Sequence, residues 1–323
     1  MKTILKKLSI LFLFITVGTH AQDFEKVDNT VKTYPRSFIT TDKFAERVTS
    51  DFSRDDEKAR AIFTWIATNI SYDLGALGRA ASPGGFSYRT EEERLAKINK
   101  FKDDLALKTM RSRKGICHGY ATLYAIVAEK AGLEAVVIPG ASKTFLSHIG
   151  KAPGVSDHAW NAVKINGEWK LLDVTWGAGG VEGNTQKFTF DFNDSYFFMK
   201  PEDFYLKHYP EDEKWLMTRA TKEEFAALPL YYGSHFRQGY KFISPDAGIL
   251  TNKQSAIDFK IKGLSPDSKI GYAFSDERKL NKILPVFTGD IAQFKIPLDN
   301  KPTGILTIYV DEESVASYKI IKG

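Results

Sequence analysis

Residues 157–176 read DHAWNAVKINGEWKLLDVTW. At the centre, Asn166-Gly167 lies between Ala162–Ile165 and Glu168–Leu171, the signal of a β-hairpin closed by a two-residue type I′ turn. Closing the turn there pairs Ile165 with Glu168. Continued outward, the pairing sets Trp160 opposite Asp173 and His158 opposite Thr175. His158 and Asp173 then share one face as diagonal neighbours, with Cα atoms about 7–8 Å apart or slightly less, within reach of a side-chain hydrogen bond. A one-residue slip in either strand would put them on opposite faces. Ala162, Trp169 and Leu171 share that face, which is the expected seat for a helix.

The helix comes from upstream. Cys117 is the sole cysteine of the 323 residues and stands in Gly115-Ile116-Cys117-His118-Gly119-Tyr120. From His118 to Lys130 the chain is apolar almost all round, which predicts a central, buried helix closed by Gly132. A cysteine at a helix start meets partial positive charge and unused N–H groups, which favour a thiolate and can hold an oxyanion. Cysteine, histidine and aspartate together are the set needed to make a nucleophile, accept its proton and orient the acceptor. The alternative is an inert, buried thiol. His118 adjoins Cys117 but points away from it on a helix. Asp157, His158 and His148 lack convincing metal-ligand spacing, and no acidic calcium loop is present, so neither a metal nor a cofactor is expected.

Around this core the periodicities change once. Ser53 to Ile70 reads as an amphipathic helix capped by Ser53, with Asp55, Asp56 and Glu57 at its positive end. Thr90 to Met110 reads as a surface helix, after a Gly-rich loop running from Gly75 to Gly85. Leu133 to Ile138 reads as an interior strand, and Gly140 to Ser156 as a long, functional loop. Beyond about residue 235 only short strands remain: Ile257, Phe259 and Ile261 alternate with Asp258, Lys260 and Lys262. Similar runs follow at Ile270–Phe274, Leu284–Thr288, Ala292–Leu298, Ile305–Val310 and Val315–Ile321. Such spacing predicts an all-β, immunoglobulin-like sandwich over residues 236–323.

Lys2, Lys6 and Lys7 precede a short apolar run, Leu8 to Val17, with a cleavage site after Ala21. This is the pattern of a signal peptide over 1–21, placing the mature chain in the periplasm or outside the cell with no stable membrane span. The net charge is +5; without the three leader lysines it is close to neutral. No basic run interleaves with aromatics, which argues against nucleic acid as a partner.

Four blocks together resemble the transglutaminase-like superfamily of papain-like fold, and most closely the bacterial relatives of the kyphoscoliosis peptidase group. They are Trp65-Ile66-Ala67-Thr68-Asn69-Ile70-Ser71-Tyr72-Asp73, Gly115 to Ala121, His158-Ala159-Trp160-Asn161, and Leu172 to Gly177. Weaker blocks continue through Tyr196-Phe197-Phe198, Pro201, His208-Tyr209-Pro210 and Trp215-Leu216. The resemblance implies an α+β fold, with a papain/transglutaminase-like core (a central helix packed on an antiparallel sheet) over residues 22–235. It implies Cys117 as nucleophile, His158 as general base and acid, and Asp173 as orienting partner. His118 departs from the acidic residue the family often carries after the cysteine. Tyr72, His118, His148 and Trp160 are the candidate substrate contacts.

The expected activity is that of an exported thiol-dependent acyl hydrolase, a cysteine peptidase or amidase acting on a peptide, protein or cell-wall amide. Transfer to an amine, as in a transglutaminase, is the alternative outcome of the same acyl-enzyme. A non-catalytic binding module using the same cleft, with the sandwich docking a protein or glycan, is the rival from another class.

Overall fold

The computed structural model describes residues 24–76, 87–182, 186–277, 279–298 and 303–323. The leader and nearly all of the 75–85 loop lie outside the described residues. Three helices open the fold: α1 (Glu25–Val31), α2 (Thr41–Asp51) and α3 (Asp55–Asn69). The third begins one residue later than a Ser53 cap would start it. Arg54 precedes it, and the Asp56 carboxylate accepts the Glu57 N–H at 2.9 Å instead. Arg60 of α3 is buried, donating two bonds to Asp28 of α1 at 2.9 and 2.7 Å and facing four phenylalanine rings. A buried guanidinium is tolerable because its charge and planar donors are both matched.

Strand β1 (Ser71–Tyr72) pairs in parallel with β2 (Lys114–Gly115), across the intervening α4 (Glu91–Ser112). Thr90 caps α4 by accepting from Glu93 N–H at 3.1 Å. This short ladder delivers Tyr72 to the entrance of α5 (Cys117–Lys130), which is buried from Gly119 to Leu123 and beyond. A five-stranded antiparallel sheet follows, in the order β8-β5-β4-β3-β9. Its members are β3 (Glu134–Ser142), β4 (His158–Ile165), β5 (Glu168–Leu172), β8 (Phe197–Met199) and β9 (His208–Pro210). Between them lie α6 (Val174–Ala178), the hairpin of β6 (Gly179–Glu182) and β7 (Lys187–Phe190), and α7 (Pro201–Phe204).

The β4–β5 register is the one the turn requires: Ile165 pairs with Glu168 and Asn161 with Leu172. Asn166 and Gly167 take φ of 51° and 83°, the positive angles a type I′ turn needs. Two features differ from expectation. The ladder stops at Asn161–Leu172, because Asp173 leaves the sheet to cap α6. The central helix also seats on the other face: Asn161, alternate to Trp160 and Ala162, donates its Nδ2 to the Ala121 carbonyl of α5 at 2.9 Å. Trp160 instead packs against Phe204 and His208, with ring centres 5.9 and 4.9 Å away.

The remainder comprises α8 (Lys222–Ala227), β10 (Leu230–Tyr231), α9 (Gly233–Gln238) and β11 (Lys241–Ser244) to β19 (Glu313–Ile321). The intervening strands are β12 (Ile249–Thr251), β13 (Ala256–Lys262), β14 (Ile270–Phe274), β15 (Asn281–Ile283), β16 (Val286–Thr288), β17 (Ile291–Pro297) and β18 (Gly304–Val310). One sheet runs β10-β19-β18-β14-β15, with β12 also pairing to β19; the second runs β11-β13-β17-β16. Phe259 of β13 meets the Tyr318 ring of β19 edge-on at 5.4 Å, so apolar faces of the two sheets meet. The run expected at Leu284–Thr288 is broken, since Pro285 has no N–H to donate and Leu284 stands 92% exposed. The C-terminal sheet reaches back to Leu230, upstream of the expected junction at 235, and one cluster of buried side chains runs from Val27 to Ile320.

A chain ending at residue 235 removes β19, the partner of β10, and uncovers Leu230 and Tyr231. We expect it to lose its cooperative thermal transition by circular dichroism and to bind a hydrophobic dye. Unfolding as sharp as that of the full chain would show the first part to be independent.

Candidate active site

Cys117 is the first residue of α5 and is half-buried. The Ile116 carbonyl takes up the N–H groups of Gly119 and Tyr120, at 2.8 and 3.2 Å, which fixes where the helix starts. The Tyr120 hydroxyl donates to the Ile70 carbonyl and ties this start to the end of α3.

His158 opens β4, and its Nε2 lies 2.7 Å from Asp173 Oδ2. The Cys117 side chain lies close enough to influence the imidazole and raise it. With Nε2 engaged by Asp173, Nδ1 is the nitrogen left for the sulfur. Trp176 stacks on the ring at 4.7 Å and 15°. Asp157, one residue earlier, accepts the Ser142 N–H at 2.7 Å and so anchors the loop ahead of the histidine.

Asp173 is 0% exposed and fully engaged. Its Oδ1 accepts the Trp176 N–H at 3.1 Å, and its own N–H donates to the Tyr196 carbonyl at 3.0 Å. Its Oδ2 accepts from His158 and, at 3.0 Å, from Nε2 of His208. Burial opposes its ionisation, but the two imidazoles outweigh it and hold the carboxyl well below the usual carboxylate range. Burial likewise opposes charge on His158, and the Asp173 carboxylate, with the Cys117 side chain beside it, pushes it up to about 10.

His208 enters the sequence reading only in an outer block, with no spacing that points to Asp173. Topology brings it in: β9 pairs with β3 on the edge away from the hairpin. Gly140 allows this, because a Cβ there would run into the Trp160 ring and the Tyr209 carbonyl. Lys207, adjacent, holds its ammonium 4.2 Å from the Trp176 ring centre, and burial lowers it to about 8 against the pull of Asp173.

The four candidate substrate contacts divide. Tyr72 is half-buried near the site: its phenol is pushed up by burial and then by the electrostatic influence of Cys117. Trp160 is 1% exposed and forms the wall behind His158, so it offers no face to a substrate. His118 is half-buried and lowered first by burial and then by Lys102 of α4. His148 accepts from Thr144 N–H at 3.3 Å and packs edge-on to Phe145. Neither joins the cluster.

His158, Asp173 and His208 bring possible metal-ligand atoms close together. A tetrahedral zinc with bonds near 2.0–2.1 Å would spread its ligands to roughly 3.3 Å apart. The 2.7 and 3.0 Å separations here are those of hydrogen bonds.

The two shifts fix a pH window. Asp173 is depressed, so its contribution to stability is complete above about pH 4 and is lost as pH falls through its folded value. His158 is raised, so its contribution is complete below about pH 6.5 and is lost as pH rises through about 10. Thermal midpoints should fall as pH drops below 4, and Asp173→Asn should flatten that acid limb. An unchanged limb in the variant would contradict the assignment.

Residues 42–174 match the family model described as the Transglutaminase-like superfamily. The match takes in Cys117, His158 and Asp173 and stops short of His208. Kyphoscoliosis peptidase of Mus musculus is 30% identical over 250 residues, covering 75% of this chain and 34% of that protein. The Homo sapiens protein of the same name is 30% identical over 252 residues, covering 76% and 34%. Hillarin of Drosophila melanogaster is 24% identical over 343 residues, covering 94% and 38%. The chain thus spans little more than a third of the length of these relatives.

Proposed function

We propose that this chain, which belongs to the transglutaminase-like superfamily through residues 42–174, is a thiol-dependent acyl hydrolase of the cysteine peptidase or amidase kind. One observation carries the reading: His158 stands between the Cys117 thiol at a helix start and a fully buried carboxylate. The printed name of two relatives, a peptidase, accords with it.

In this mechanism the Cys117 thiol gives its proton to His158 and the sulfur attacks an amide carbonyl. Backbone N–H groups in the first turn of α5, without acceptors in their own helix, stabilise the oxyanion. The C–N bond breaks as His158 returns its proton to the leaving amine, giving a thioester. Water, deprotonated by His158, then splits the thioester to a free acid and restores the thiol. Asp173 keeps the ring oriented and stabilises its charged form. The basic leader of the sequence supports export to the periplasm or beyond. The C-terminal strands, read as an immunoglobulin-like module, supply a docking surface for a peptide-, protein- or cell-wall-bearing partner.

Cys117→Ala is expected to abolish turnover with the fold retained, and His158→Ala to cost about as much, since such residues act as a unit. Asp173→Asn should lower the rate by roughly 10²–10⁴-fold through the wrong tautomer of His158. Near-wild-type activity in Cys117→Ala would refute the enzyme. With a good amide substrate and added primary amine, product mass decides the fate of the thioester. Mainly free acid supports the hydrolase, and mainly amine adduct would make the chain a transferase.

A further inference from the structure

Asp173 serves two imidazoles, and the second has no acceptor role to play. His208 sets Nε2 3.0 Å from Asp173 Oδ2 and Nδ1 2.9 Å from the Phe204 carbonyl oxygen. A carboxylate and a carbonyl only accept. A neutral imidazole has a single N–H, so it would turn a lone pair on one of these oxygens. No solvent can intervene: the ring is 1% exposed, stacked on Phe204 at 3.8 Å, with Trp160 and Trp176 at 4.9 and 4.3 Å.

We propose that His208 is a positioning residue of this site, held as an imidazolium between the Phe204 carbonyl and Asp173, and that its charge limits how tightly Asp173 retains the proton of His158. The inference rests on reading Cys117, His158 and Asp173 as a working triad. The charged groups facing His208 are Asp173 at the start of α6 and His158 on β4. Lys207 precedes it on the chain and sets its ammonium 4.2 Å from the centre of Trp176, the ring that packs 4.3 Å from His208; the Tyr196 ring meets the same Trp176 edge-on. Burial works against a charged ring and, with His158 adding to it and Asp173 and the Phe204 carbonyl pulling the other way, lowers His208 to about 4 on balance. We set the geometry above that balance: desolvation is an averaged cost, whereas a lone pair facing an oxygen at 2.9 or 3.0 Å is a specific repulsion that cannot relax in a packed wall.

The mechanistic consequence concerns one carboxylate divided between two rings whose centres lie 5.7 Å apart. Left alone with Asp173, His158 would hold its proton too firmly to pass it to a leaving amine. A second cation on the same oxygen weakens that hold and returns His158 toward the range in which it can both take and give a proton.

The test uses the full chain. With ¹⁵N-labelled histidine, the ring resonances of His208, assigned by substitution, should show both nitrogens protonated from pH 5 to 8. One unprotonated nitrogen would overturn the proposal. His208→Gln keeps an amide donor and similar bulk but removes the charge. In that variant the alkaline inflection of Cys117 alkylation by iodoacetamide, which reports proton loss from His158, should rise by about one pH unit or more. An inflection that stays in place or falls would reduce His208 to a packing role. If the variant does not fold, the wild-type resonances still decide. If wild-type Cys117 shows no enhanced alkylation, the triad reading fails while the His208 measurement stands.

Discussion

A carboxylate with no exposure to solvent is the constraint around which this molecule is arranged. Asp173 stays ionised because its carboxylate oxygens are met from three separate segments: β4 through His158, β9 through His208 and α6 through the Trp176 amide; its own backbone N–H is held by the Tyr196 carbonyl in the turn before β8. Removing one partner of a buried charge costs roughly 3–5 kcal/mol. That is a large part of the 5–15 kcal/mol by which a domain of ordinary stability is folded. The groups proposed for the chemistry are therefore also the groups that hold the sheet, the edge strand and α6 in register with one another.

Aromatic packing makes the arrangement effective. Trp176 covers the His158 ring, Trp160 closes the back, and Phe204 lies on His208. Excluding water lowers the local dielectric, which strengthens each charge-assisted contact and raises the penalty for any that is missing. Gly140 is the permissive element in this wall: it removes the one Cβ that would push β9 away from β3, and with it His208 from Asp173.

Local rules made part of this legible. The type I′ turn at Asn166-Gly167 sets the register of β4 and β5, and apolar residues on all sides identify α5 as interior. Alternation along β13 reports a sheet with one wet face. Where long-range packing competes with local pattern, the reading stops. The hairpin register carries the strand on to Asp173, but aspartate favours a helix cap over a strand, and the cap prevails because it meets the Trp176 amide. The face that receives α5 was not decided by apolar residues, since both faces of β4 are buried. His208 sits on a three-residue edge strand whose partner is 66 residues upstream in the ladder pairing of Ser142 with His208. No periodicity within the chain encodes that meeting. The same holds for β10, two residues that join a sheet completed only by β19.

One thiol in the whole sequence also sets how this protein would respond to oxidants. A half-buried cysteine beside a strong base is the kind of sulfur that peroxide converts to a sulfenic acid. In many proteins a second cysteine then condenses with it to give a disulfide that reductants can reopen. Cys117 has no such companion in this chain, so rescue must come from an external thiol before the sulfur advances to the sulfinic state, from which recovery is exceptional.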